Sequence, residues 1–142
     1  MNICDIMTDK VVSVSSDEPV SVAARLLKRH NVGSLPVCDS AGRLRGIITD
    51  RDIVTRCIAL GSDPDSTSIN EVMSRAIVTA SPSASVDEAV QLMSRDQIRR
   101  LPITEDGKLV GMVALCDIAR HSNCQMEASA ALCEISANIK RK

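Results

Sequence analysis

The chain has 142 residues, 44% of them apolar and 25% charged, with a formal net charge of −1. That length suits one compact domain or two small halves sharing a core, and the near-neutral charge speaks against a polyanion-binding protein, which is usually basic overall. Phe, Tyr and Trp are all absent, so aromatic stacking is excluded as a way to hold a base, and any base-binding pocket must have aliphatic walls.

In chain order, the opening stretch MNICDIMTDK lacks the charged start and long apolar core of a secretory leader. No apolar run in the chain approaches the roughly 18 residues needed to span a bilayer. The expectation is a soluble cytoplasmic protein that binds neither nucleic acid nor membrane. VVSVS, residues 11–15, alternates as a short strand does. A helix follows, with Val22, Ala23, Leu26 and Leu27 forming an apolar stripe at helical spacing. VGSLPVCD and LRGIIT read as two strands joined by a tight turn around Ala41 and Gly42. A second helix begins near Asp52, with Gly61 as its stop. GSDPDSTS, residues 61–68, is a polar linker.

The order then recurs. IVTAS is a short strand, and SVDEAVQLM a helix opened by Ser85 and Glu88 at capping-box spacing. Two more strands turn at Asp106-Gly107, a strong hairpin signal, and another helix starts near Asp117. NCQMEASAALCEISANIKRK, residues 123–142, reads as a C-terminal helix. Ala128, Leu132, Ile135 and Ile139 give it heptad-like spacing, which suits packing on its own dimer.

The recurrence is a true repeat. Residues 3–37 align on 69–103 without a gap, so that Ile3 meets Ile69, Met7 meets Met73, Val20 meets Val86, and LPV meets LPI. After one extra residue in the first copy, Gly46 and Asp52 meet Gly111 and Asp117. The expected organisation is a first repeat over 1–60, the linker over 61–68, a second repeat over 69–120 and a helical extension over 121–142. Each half reads strand, helix, strand, strand, helix, an α/β arrangement of α+β type. A half of ~50 residues is marginal alone. Two halves packed through their sheets with pseudo-twofold symmetry would share a core and leave a cleft, a common position for ligands.

Two corners stand out, GIITDRD at 46–52 and GMVALCD at 111–117. An ionised carboxylate accepts hydrogen bonds and can take two from a ribose diol, which suits Asp52. The Thr49 hydroxyl suits a phosphate oxygen. The same T-x-x-D spacing also makes a near-capping box, with Thr49 capping a helix and Asp52 favoured by the helix dipole. The second corner has Ala114 in place of the threonine. QIRRLPI, 97–103, places Arg99 and Arg100 where the first copy has Gly33 and Ser34. Guanidinium groups suit phosphate, although a solvated or salt-bridged pair would look the same. Strand alternation suggests that only one of the two points inward.

Six cysteines are scattered and none forms a C-x-x-C pair, so zinc-ribbon spacing is absent. They read as small core residues, Cys116 among them; a thiol-based redox or metal sensor is the minority alternative. His30 and His121 are the only histidines. Neither joins an acid, base and nucleophile constellation, so no catalysis and no metal site is expected. Ile53, Val54, Ile58 and Ile118 exceed what a two-repeat core can easily cover, which predicts a homodimer.

The pattern "DIMT…VVSVSSDEPVSVAARLLKRHNVGSLPV…GRLRGIITDRDIV", followed by "EVMSRAIVTASPSASVDEAVQLMSRDQIRRLPI…GKLVGMVALCDIA", resembles a tandem pair of CBS domains, the Bateman module. The resemblance covers residues 3–54 and 69–118. TDRDIVTRCIALGSDP is also similar to small stand-alone bacterial CBS-pair proteins of the stress or hypoxia type. The resemblance implies a regulatory module that binds AMP, ADP, ATP or S-adenosylmethionine, needs no cofactor, and acts on an effector protein by changing shape. In the family's G-h-h-[ST]-x-x-[DN] corner, Gly46, Thr49 and Asp52 match fully, while Gly111 and Asp117 match in part. The resemblance also implies that Thr49 and Asp52 face Arg99 and Arg100, with adenine against Ile47, Ile77 and Val78. Gly33, Ser34, Ala114 and Asp117 would form a degenerate second site. A ligand-free dimeric interaction or stress protein is the alternative of a different class.

Overall fold

The computed structural model describes residues 1–121 together with Ser129, Ala131 and Ile135. It forms two compact units, one comprising Val12–Ile77 and the other Met1–Val11 with the chain from Val78 onward. Sequence repeats and compact units are thus offset. Each unit is completed by the leading segment of the other repeat. The reason is apolar burial: Ile3 lies fully buried in the core of the Val78 unit, and its repeat-mate Ile69 in the core of the Val12 unit. Burying an isoleucine side chain stabilises by about 2 kcal/mol, enough to hold each leading segment in the core it enters.

In the Val12 unit, α1 spans Val20–His30. Val20, Ala23 and Leu27 are buried, and Leu26 packs partly against them. The helix ends at Asn31, whose left-handed backbone (φ 53°) lets its N–H reach back to the last turn. The strands β1, Ser34–Cys38, and β2, Leu44–Thr49, pair antiparallel, with Ser34 opposite Thr49 and Leu35 opposite Ile48. The Asp39 carboxylate organises the turn, accepting from the backbone N–H groups of Ala41 and Arg43, both at 2.9 Å, and from Arg45 Nε at 3.0 Å. The Arg43 N–H contributes most to holding this carboxyl below its ordinary range, and Arg45 adds to it.

After β2, α2 (Asp50–Ile53) runs straight into a π-helical stretch, Val54–Ile58. Gly61, with φ 74°, ends it, the stop read from the sequence. The short α3, Ile69–Val72, closes the unit. Arg56 Nη1 donates to the carbonyls of Val72, at 3.1 Å, and Met73, satisfying the end of α3.

The Val78 unit repeats the plan. A 3-10 turn at Ile3–Asp5 replaces α3, α4 spans Val86–Asp96, and β3 (Arg100–Glu105) pairs with β4 (Lys108–Ala114). Asp106 (φ 54°) and Gly107 (φ 79°) form the tight turn expected there. Ser85 Oγ accepts from the Glu88 N–H at 3.2 Å, as the capping spacing predicts. The helix α5 covers Leu115–Arg120. Both hairpins slip register at the same repeat position, between Val37 and Cys38 and between Ile103 and Thr104.

The mixed helix and strand class expected from the sequence is the class observed, with four departures in detail. VVSVS and IVTAS are not full strands: each makes one parallel bridge, Val14 to Val37 and Ala80 to Ile103. Short polar-flanked runs of this kind bury one apolar residue each. The second helices begin two residues before the aspartates, at Asp50 and Leu115. Ile53 and Ile118 are buried in their own units and leave no surplus, whereas Val54, Ile58 and Leu60 are exposed. Ala131 and Ile135 bury in the core of the Val78 unit, so this part of the heptad pattern serves that core. Ala128, Leu132 and Ile139 lie outside the described residues.

Candidate functional site

The first corner is a complete capping box. Thr49, with extended backbone, is the N-cap of α2. Its Oγ1 accepts from the Asp52 N–H at 3.0 Å, and Asp52 Oδ2 accepts from the Thr49 N–H at 3.0 Å. Asp52 is mostly buried, its side chain 14% exposed, and among the described residues its Oδ1 meets only Arg56 Nε at 3.9 Å, too far for a strong bond. One lone-pair-bearing oxygen is therefore free to accept from a ligand.

The second corner keeps half of this box. Asp117 Oδ2 accepts from the Ala114 N–H at 3.0 Å, but the Ala114 methyl offers the Asp117 N–H nothing. Arg120 Nη1 lies 3.6 Å from Asp117 Oδ1. The same reach-back from a carboxylate three residues on occurs at Asn2–Asp5, Ser15–Glu18 and Ser68–Glu71. The carboxylates are thus a device this fold uses to start turns and helices. Asp52 is distinguished from Asp117 by its hydroxyl partner.

The glycine that opens each corner is sterically required. A Cβ on Gly46 would meet the Ser74 carbonyl oxygen at 2.6 Å, because Ile47 and Ser74 exchange backbone hydrogen bonds at 2.8 and 2.9 Å. A Cβ on Gly111 would meet Met7 Sδ at 2.5 Å. Met7 and Met73 are repeat-mates, and each thioether occupies the room its glycine leaves.

Ile47 and Ile77 are half-buried in the Val12 unit, and Val78 packs partly against the core of the other. Gly33 accepts from the Asp50 N–H at 3.0 Å, and Arg99 in the same way from the Leu115 N–H at 2.8 Å. Ser34 lies opposite Thr49, and Arg100 opposite Ala114. Where the first copy has a glycine and a serine, the second therefore has two cations beside its corner.

Those cations line a cavity of about 450 Å³ within the Val78 unit, with Ala114, Leu115, Cys116, Ala119 and Ser129. The volume is that of a small-molecule pocket. Both arginines reach it, against the expectation that one would turn away. Arg99 sits in the bend before β3, where strand alternation does not apply. Among the described residues neither has an ion-pair partner. Cys116 is not a core residue: it is exposed and lines the cavity, while Cys57 is the buried cysteine among the described residues. Cys38 is half-buried, and burial pushes its thiol upward. Cys124 and Cys133 lie outside the described residues. Ala119 and Ser129 carry no sequence signal, since a lining made of small residues has no motif. Among the described residues no cluster of metal-ligating side chains occurs, and no helix is long and apolar enough to cross a membrane.

A doubled corner and hairpin on this fold defines a tandem pair of like domains, and comparison with known proteins agrees. The CBS domain family matches residues 3–58 and 69–123, and the chain belongs to that family as a CBS pair. It is similar to the CBS domain-containing protein YhcV of Bacillus subtilis, 46% identical over 93% of both chains. Among solved structures, Hypoxic Response Protein I with two coordinated zinc ions is 37% identical with a TM-score of 0.80, covering 85% of this chain and 98% of that one. The CBS domain pair of protein MJ0100, in complex with 5-methylthioadenosine and S-adenosylmethionine, is 32% identical with a TM-score of 0.74, covering 84% and 94%.

Proposed function

We propose that the protein is a regulatory module that binds an adenosine-containing small molecule and acts on an effector protein through the resulting change of shape. The observation that carries this reading is the cavity of about 450 Å³ beside the second corner, lined by Arg99 and Arg100 and otherwise by small or aliphatic residues. The complex of the related MJ0100 pair with two adenosine compounds supports the same ligand class. Arg99 and Arg100 are the phosphate-binding groups in this reading. Asp52 Oδ1 accepts from the ribose hydroxyls in this reading, and the Thr49 hydroxyl donates to a phosphate oxygen. Ile47, Ile77 and Val78 supply aliphatic contact for adenine. Gly33, Ser34, Ala114 and Asp117 form the poorer set in one respect, that Ala114 gives their corner no hydroxyl. Affinity is modest, because no aromatic ring is available to stack on the base.

The module works as a homodimer. Val54 and Ile58, each more than half exposed, and Leu60, 72% exposed, form an apolar patch on and beside the π-helical stretch, and exposed patches of this kind mark interfaces. The direct test of ligand binding is thermal melting with adenosine, AMP, ADP, ATP, 5-methylthioadenosine and S-adenosylmethionine. A ligand that binds only the folded state adds about 2.7 kcal/mol at a hundred times its dissociation constant. A rise in melting temperature with at least one of the six supports the module. No rise with any of them at millimolar concentration contradicts it.

A further inference from the structure

The cavity beside the second corner is completed by a residue from outside the two repeats. The family match ends at residue 123, yet Ser129 lines the cavity together with Ala114, Leu115, Cys116 and Ala119. Ser129 is itself exposed. Its neighbours Ala131 and Ile135 hold it at the wall, because both are buried in the core of the Val78 unit. Leu115 belongs to that same core and Ala119 packs against it, and these two also line the cavity. The packing that seats Ala131 and Ile135 is therefore continuous with the cavity wall.

The chemistry of the wall gives Ser129 a role. The first corner carries the Thr49 hydroxyl, whereas the second has the Ala114 methyl. Among the described residues that line the cavity, Ser129 has the only hydroxyl. A hydroxyl both donates and accepts, so it can meet a polar edge of a ligand that Ala114, Leu115 and Ala119 leave unmet. We infer that Ser129 supplies this cavity with the hydroxyl its corner lacks, which makes residues beyond the family match part of the ligand site. The inference rests on the adenosine-binding reading above and adds a specificity-determining residue to it. It also couples that part of the chain to occupancy. A bond to Ser129 exists only while Ser129 stands at the wall, and the burial of Ala131 and Ile135 keeps it there. Linkage is reciprocal, so the bound ligand stabilises the seating of Ala131 and Ile135 as their seating stabilises the ligand.

The experiment uses the full chain, with AMP as the probe. Calorimetry gives dissociation constants for the wild type, Ser129→Ala, Ser129→Thr and Ser129→Leu. Melting without ligand shows that each variant is folded, and the exposed position makes all three changes mild. Ser129→Ala loses one hydrogen bond and weakens AMP by about three- to tenfold. Ser129→Thr keeps the hydroxyl and stays within about twofold of the wild type. Ser129→Leu fills space at the wall and weakens AMP by more than about tenfold. Hydrogen exchange in a peptide containing Ser129, Ala131 and Ile135 slows when AMP is added to the wild type, and slows less in Ser129→Ala. An arm without ligand tests the wall alone. Cys116 is exposed and lines the same cavity, so Ser129→Leu slows its alkylation by N-ethylmaleimide, read by peptide mass spectrometry, and leaves the exposed Cys4 unchanged.

Unchanged AMP affinity in Ser129→Ala, or unchanged Cys116 alkylation in Ser129→Leu, overturns the inference and leaves the adenosine-binding reading standing. Equal losses in Ser129→Ala and Ser129→Thr show that the ligand does not meet the hydroxyl and overturn it as well. Exchange that does not respond to AMP overturns the coupling. Failure of the wild type to bind AMP overturns the inference, and failure to bind any of the six adenosine compounds overturns the reading with it.

Discussion

Changing Thr49 to Ala gives the first corner the chemistry of the second. The structure fixes what is lost. Thr49 Oγ1 accepts from the Asp52 N–H at 3.0 Å, and the alanine leaves that donor without a side-chain partner, as the Asp117 N–H is without one beside Ala114. The other half of the box, from the Thr49 N–H to Asp52 Oδ2, survives. Loss of a threonine cap costs about 1 kcal/mol, within a range of about 0.5–2. The corner is only half-buried, so water reaches the freed N–H and the cost falls in the lower part of that range. In a chain of this size about 1 kcal/mol lowers the melting midpoint by roughly 3–4 °C. Urea unfolding without ligand measures it. Thr49→Ser keeps the acceptor and should lose less than half as much. The reciprocal change Ala114→Ser adds an acceptor facing the Asp117 N–H and should raise stability by up to about 1 kcal/mol. If Thr49→Ala is neutral, or if Thr49→Ser is as damaging as the alanine, then the hydroxyl does not cap α2 and the physical contrast between the corners is wrong.

The two corner glycines should differ. Gly46→Ala drives a Cβ into a backbone oxygen and Gly111→Ala into a flexible methionine side chain, so chemical denaturation should show the first costing about 1–3 kcal/mol and the second clearly less. The Asp39 carboxyl is held below its ordinary value of 3.8. Its contribution is therefore present above that value and lost as pH falls through the lower folded value; an NMR titration should place its midpoint below 3.8, and a midpoint at or above it would contradict the turn geometry. The apolar patch predicts a dimer by sedimentation at micromolar concentration, and a combined Val54→Ser, Ile58→Ser and Leu60→Ser change should shift it toward monomer. A wild-type monomer at that concentration would remove the homodimer.

Much of this was readable in the sequence because it depends on local chemistry. The repeat, the α1 and α4 stripes, the Asp106-Gly107 turn and the Gly61 stop each follow from spacing or from a backbone position that few residues tolerate. Thr49 and Asp52 could be read as a cap or as a ligand site, and the structure makes the cap while leaving Asp52 Oδ1 with only a distant arginine. The exchange of leading segments was not readable. Ile3 and Ile69 are equivalent in sequence, and nothing local tells either which core it enters. Nor was the joint position of Arg99 and Arg100 readable, since alternation holds inside a strand and Arg99 lies just before one. The exposure of Cys116 depends on how α5 sits beside the cavity, a tertiary property without a sequence pattern.

The most direct measurement is a calorimetric titration of AMP into the wild-type protein and into the Arg99→Gln, Arg100→Gln double variant. The wild type should saturate at about one nucleotide per chain. The double variant should lose most of the binding, because both residues line the cavity that carries the reading. Wild-type affinity in the double variant would show that this cavity does not hold the nucleotide. The absence of any saturable heat with the wild type would contradict the account.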